Sequence, residues 1–92
     1  MLNLVLTGKF KKDYNKLKKR KFKIELLDEV VNLLINQQPL PAKYKNHPLK
    51  GDKKGYFDLH IQNDWVLIYR IDNNELILYL LETGTHSDIL KS

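Results

Sequence analysis

Three histidines, His47, His60 and His86, are the residues of this chain best suited to moving protons near neutral pH. An unperturbed imidazole titrates at about 6.5, so modest changes of environment poise it as acid or base. Asp64 follows His60 by four residues across a polar turn, close enough in a hairpin to orient an imidazole or to act as a base. No covalent nucleophile accompanies them, since cysteine is absent and no serine lies in a recognisable elbow. Such a set suits a substrate that brings its own nucleophile. RNA does so: its 2′-hydroxyl attacks the adjacent phosphate once a base takes its proton and an acid protonates the leaving oxygen. Lys50, Lys53 and Lys54 would hold the anionic backbone, and Trp65 or Tyr56 could stack on a base.

The same residues fit plainer readings. A lone histidine on a strand is more often a surface or hydrogen-bonded residue than a catalyst, and Trp65 could simply cap the core. Three histidines and an aspartate could also bind zinc, but no pair has the short spacing that supplies two ligands from one element. The expectation is therefore no metal and no cofactor.

The stretch that would position these groups runs from Gly55 to Tyr69 and reads as a β-hairpin. Phe57, Leu59 and Ile61 alternate with Tyr56, Asp58 and His60, one set on each face. Gln62 and Asn63 form the turn, and Asp64-Trp65 opens the return strand. Before the hairpin, residues 2–6 alternate weakly as a strand, and Thr7 is placed to cap a helix over residues 9–19. Phe10, Tyr14 and Leu17 give that helix a narrow apolar stripe; the rest of it is almost uniformly lysine. A second helix over residues 24–36 follows and ends before Pro39 and Pro41. Residues 37–54 form a long basic connection without periodicity, the kind of loop that is more often functional than idle. Asp72 to Glu75 reads as a second hairpin turn, residues 76–81 as an interior strand, and residues 82–92 as a turn-like tail bent at Gly84. The order β-α-α-β-β-β predicts an α+β fold: a small antiparallel sheet with a helical hairpin on one face and the other face partly open. Leu59, Leu67, Ile68, Leu76, Leu78 and Leu80 are the core candidates.

At 92 residues, 42% hydrophobic and 29% charged, the chain has the composition of one small soluble domain, residues 1–92. No window approaches the apolar length of a membrane span, and the N-terminal apolar run is too short for a signal peptide, so a cytoplasmic protein is expected. Charge is divided unevenly. Residues 1–54 hold 14 lysines and arginines against 5 acidic residues, a net of +9; residues 55–92 hold 2 against 6, a net of −4. The basic half points to an anionic partner, nucleic acid or an acidic protein, although a solvated lysine face is the plain alternative.

Four segments in order carry a family resemblance: Leu40-Pro-Ala-Lys-Tyr-Lys-Asn-His47-Pro-Leu-Lys-Gly51, Gly55-Tyr-Phe-Asp58-Leu-His60, Asp64-Trp65-Val-Leu-Ile-Tyr69 and Thr83-Gly-Thr-His86-Ser87. Together with the lysine-rich first helix they resemble the YafQ toxins of the RelE/ParE superfamily of bacterial type II toxin–antitoxin systems. The resemblance implies an mRNA endonuclease that acts on translating ribosomes without a metal, held in check by a cognate antitoxin protein. It matches His47, His60, Asp64 and His86 to the family's acid/base cluster, Trp65 to an aromatic of the site, and Asp58 to an acidic position on the same strand. His86 and Asp64 are the pair whose loss should matter most.

Two positions depart from the family pattern. Where members commonly place an arginine just before Thr83-Gly-Thr-His86, this chain has Glu82, an anion where a phosphate-facing cation is usual. Loss of such a contact is worth roughly 3 kcal/mol, about a hundredfold in rate, unless Lys50, Lys53 or Lys54 compensates. In the tail, Leu90 replaces the usual phenylalanine, keeping bulk but losing stacking. The alternative to an active nuclease is thus a weakened homologue that mainly binds an antitoxin or ribosome. The gyrase-directed branch of the superfamily is disfavoured by the intact histidine set.

Overall fold

The computed structural model describes residues 1–90, the side chain of Leu90 excepted. Strand β1 (Asn3–Leu6) leads into helices α1 (Gly8–Lys19) and α2 (Ile24–Ile35). The connection then forms a short strand β2 (His47–Pro48) between two 3₁₀ turns, and the meander β3 (Phe57–Gln62), β4 (Trp65–Asp72), β5 (Ile77–Thr85) ends in the short helix α3 (His86–Leu90). The sheet order is β1-β5-β4-β3-β2. All neighbours are antiparallel except β1 and β5, which pair in parallel from Asn3↔Ile77 to Leu6↔Leu80. The α+β expectation holds, with that one parallel pair added. A parallel neighbour needs a long crossover, and here everything from α1 to β4 lies between the two strands. Among the described residues no helix is long and apolar enough to cross a membrane.

Local chemistry explains the element ends. The Thr7 hydroxyl accepts from the Phe10 amide at 3.0 Å, capping α1, and donates to the Leu81 carbonyl at 2.7 Å, tying the helix start to β5. Lys16, Lys18 and Lys19 occupy the last turn of α1, where the helix dipole favours cations. Lys21 takes a left-handed conformation (φ 62°), which lets the Phe22 amide close on the Leu17 carbonyl at 3.0 Å and turns the chain into α2. The helices cover one sheet face, where Phe10, Leu17, Leu27, Val30 and Leu34 pack on Leu59, Leu67, Leu78 and Leu80.

Two sequence expectations give way here. Leu76 is in the second turn with φ 55° and is 49% exposed, so it is not core. Gly84 does not bend the chain: β5 runs on through it to Thr85, and Gly84 pairs with Val66. Ile68 is buried, as is Val66, but both point away from the helices.

Tyr69 joins β4 to the long connection, its hydroxyl donating to Asn46 Oδ1 at 2.6 Å. Burial pushes the Tyr69 phenol from its ordinary value of 10.0 up to about 12. A raised folded-state pKa means that stability is fully present below pH 10 and falls as pH rises from there to about 12. The loss should reach roughly 3 kcal/mol for a shift of that size. Urea unfolding from pH 9 to 12 should show a shallower decline for Tyr69→Phe than for the native chain, and equal slopes would count against this assignment.

Candidate active site

The face away from α1 and α2 carries two rows of residues set by strand register. Opposite residues of an antiparallel pair share a face. The pairs His47↔Asp58, Asp58↔Ile68 and Ile68↔Glu82 therefore make one row across β2, β3, β4 and β5. His60↔Val66 and Val66↔Gly84 make the next. Two irregularities shape these rows. In β3 the register shifts between His60 and Gln62, so that Gln62 and not Ile61 pairs with Trp65, while Ile61 stays on the core face with Leu59. In β5 it shifts at Leu81, since Ile68 faces Glu82 while Tyr69 faces Leu80. Without that bulge Glu82 would share the core face with Leu80, where an anion has no place.

Helix α3 closes the end of the second row. Thr85 and Asp88 cap it reciprocally: the Thr85 amide donates to Asp88 Oδ2 at 3.1 Å, and the Asp88 amide donates to Thr85 Oγ1 at 3.2 Å. The Thr85 amide is the main cause holding the Asp88 carboxyl below its usual range, with the hydroxyl and Arg20 adding to it against burial. Gly84 lies beneath this helix; a Cβ there would stand 3.2 Å from the Asp88 Cβ and Oδ2, so only glycine lets α3 pack so closely.

The cap delivers His86 to the hairpin turn. Asp64 Oδ1 receives His86 Nδ1 at 2.6 Å and the His86 amide at 3.2 Å, while the Asp64 carbonyl receives the same amide at 3.1 Å. A carboxylate accepts, so Nδ1 carries the proton and Nε2 is left as the reactive nitrogen. His47 is oriented likewise: its Nδ1 donates to the Lys45 carbonyl at 2.8 Å, turning Nε2 to within 3.6 Å of Asp58 Oδ2. His60 Nε2 lies 3.9 Å from Asp58 Oδ1, a buried oxygen without a hydrogen-bond partner. The His60 ring is 6.0 Å from that of His47 and 5.2 Å from that of His86. All three histidines and both aspartates thus come together. Asp64 orients His86, however, and not its sequence neighbour His60, because the bulged hairpin turns it toward α3.

Other expected site residues fare differently. Trp65 is buried, its Nε1 donating to Thr83 Oγ1 at 2.9 Å and its ring edge-on to Phe22 at 5.2 Å. It is a core residue and presents no face to a base. Lys53 lines a hollow of about 210 Å³ together with Leu49, Asp58, Val66, Ile68, His86 and Ile89. Lys50 and Lys54 are exposed on the same loop and do not line the hollow. Leu90, whose side chain is outside the described part, has no placement here. The apolar floor of Val66 and Ile68 was legible in principle, because the unbroken run Trp65-Val-Leu-Ile-Tyr69 marks a strand buried on both faces. Donor atoms of His47, Asp58 and His60 lie within 4.8 Å of one another and could hold a metal ion.

The arrangement gathers three imidazoles on one sheet face, each near a carboxylate and one of them, His86, on the small hollow, and suits proton transfer to and from a bound substrate. Comparison with known proteins identifies the family. Residues 2–91 match the family model described as bacterial toxin of type II toxin–antitoxin system, YafQ. The mRNA interferase toxin YafQ of Escherichia coli K12 is 43% identical over 82 residues, 88% of this chain and 87% of its own. A metal-bound toxin from Helicobacter pylori superposes with a TM-score of 0.91 at 42% identity, covering 97% of this chain and 99% of that one. YafQ in the E. coli DinJ–YafQ complex gives 0.88 at 39% identity over 97% and 98%.

Proposed function

Because the chain belongs to the YafQ family of bacterial type II toxin–antitoxin toxins, we propose that it is the toxin of such a pair and cuts mRNA on translating ribosomes. The carrying observation is the gathering of His47, Asp58 and His60 beside the separately held His86–Asp64 pair on one sheet face. The name of the E. coli relative, mRNA interferase toxin, supports the substrate, and its complex with DinJ supports an antitoxin partner. An acidic antitoxin segment would suit the lysines of α1, and ribosomal action places the protein in the cytoplasm as a single domain without a cofactor.

The reaction is a transesterification. His60 and His86, whose rings stand 5.2 Å apart, are the pair that flanks the scissile phosphate. One takes the 2′-hydroxyl proton as the 2′-oxygen bonds to phosphorus; the other protonates the 5′-oxygen as its bond to phosphorus breaks. The products are a 2′,3′-cyclic phosphate and a 5′-hydroxyl, and no metal is required. A metal at His47, Asp58 and His60, as the Helicobacter relative's bound metal invites one to consider, would occupy an imidazole that this reaction needs.

The deciding experiment is mRNA cleavage on purified translating ribosomes, with naked mRNA and a chelator as controls. The expected result is chelator-resistant cutting on ribosomes that leaves cyclic phosphate ends. No cutting, metal-dependent cutting, or 5′-phosphate ends would reject the proposal. Glu82 motivates a second reading, a weakened toxin acting mainly by binding, for which Glu82→Arg would raise cutting strongly.

A further inference from the structure

Glu82 is 3% exposed, and its carboxylate is met by lysines from two different elements. Lys53 Nζ donates to Oε2 at 2.9 Å. On the other side Lys9 Nζ lies 3.7 Å from Oε1 and is itself shared with Asp13 at 3.1 Å. Charges therefore alternate along Asp13, Lys9, Glu82 and Lys53, and the last cation of the line borders the hollow that also contains Asp58 and His86. A buried carboxylate with no such partners would be strongly disfavoured, and the bulge at Leu81 is what brings Glu82 to them.

Building on the nuclease reading above, we infer that Lys53 is the cation that faces the phosphate in the transition state, and that Glu82 is the positioning residue that holds it there. Negative charge grows on the non-bridging phosphate oxygens as the 2′-oxygen adds, and a preorganised ammonium at that point stabilises it. An ammonium has three N–H donors, so one spent on Glu82 leaves two for the phosphate. A free lysine samples many rotamers, and pinning it to a buried carboxylate removes that freedom before substrate arrives. Glu82 is then part of the machinery and not a lesion. Lys53 is well placed for both tasks, being 42% exposed at the side chain while its ammonium is anchored.

The test uses cleavage on translating ribosomes together with binding of a uridine–vanadate complex, a pentacoordinate oxyanion that resembles the transition state. Lys53→Ala should lower kcat on the order of a hundredfold with little change in KM, and weaken vanadate-complex binding by a similar factor. Lys43→Ala, which removes a cation from the same long connection, should do neither. Glu82→Gln should lower kcat about tenfold by loosening Lys53. Glu82→Arg should restore most of the activity lost in Lys53→Ala. Native kcat in Lys53→Ala, or a tenfold or greater gain from Glu82→Arg alone, would overturn the inference. Should the native chain bind the vanadate complex but cut nothing, loss of binding in Lys53→Ala would still uphold the cation while the nuclease reading fails. Equal binding by both chains, or by neither, would overturn it.

Discussion

His86→Ala is expected to lower mRNA cleavage by a factor of about 10²–10⁴, the range for losing a positioned acid or base, and to end growth arrest when the chain is expressed alone. Position, more than residue type, makes His86 the sensitive one. It is the only one of the three histidines whose ring donates to a carboxylate within hydrogen-bond distance, at 2.6 Å from Asp64 among the described residues. Its backbone amide is held by the same aspartate, so ring and main chain are oriented together. Asp64→Asn should come close to the same loss, because an amide in place of the carboxylate can reverse the tautomer and leave Nε2 protonated. His86 is partly exposed and outside the apolar cluster, so the melting temperature should barely move. Undiminished toxicity of a well-expressed His86→Ala chain would remove the foundation of the nuclease reading.

Leu67→Ala is expected to destabilise the fold by about 2–5 kcal/mol, a large share of the roughly 5–15 kcal/mol that such domains possess. Leu67 is fully buried at the middle of β4, with Leu59 and Thr83 opposite it on the two flanking strands. Truncation would leave a cavity facing the helices that the rigid sheet cannot close. Ile68→Val, one position along but on the site face, should cost only about 0.5–1.5 kcal/mol. Urea unfolding of both variants decides the matter, and a loss below about 1 kcal/mol in Leu67→Ala would show that the core collapses around the gap. Because the site rows ride on the same strand, the Leu67 variant should also lose cleavage at temperatures where the native chain is still folded.

Much of the architecture was open to reading because its determinants are local. Thr7 caps, the Phe10, Tyr14 and Leu17 stripe, the prolines after α2 and the alternation from Phe57 to Ile61 each act over a turn of helix or a few strand residues. Periodicity in β5 misled where it was weakest. Leu76, Leu78 and Leu80 share a spacing, but Leu76 lies in the turn before the strand begins. Gly84 suggested a bend by composition, while the real demand on it is close packing under Asp88.

By itself the sequence determined the helical hairpin, the β-hairpin and, through four spaced motifs, the family, and it singled out three histidines as candidates for proton transfer. Tertiary structure alone decided which carboxylate serves which imidazole: Asp64 goes to His86, 22 positions away, and Asp58 stands between His47 and His60. It also decided that Trp65 is core and that Glu82 belongs beside Lys53, 29 positions away. The physical reason is strand register. One bulged residue, Leu81, flips every later side chain of β5 to the opposite face, and a bulge is fixed by pairing across the sheet, which no local pattern of residues encodes.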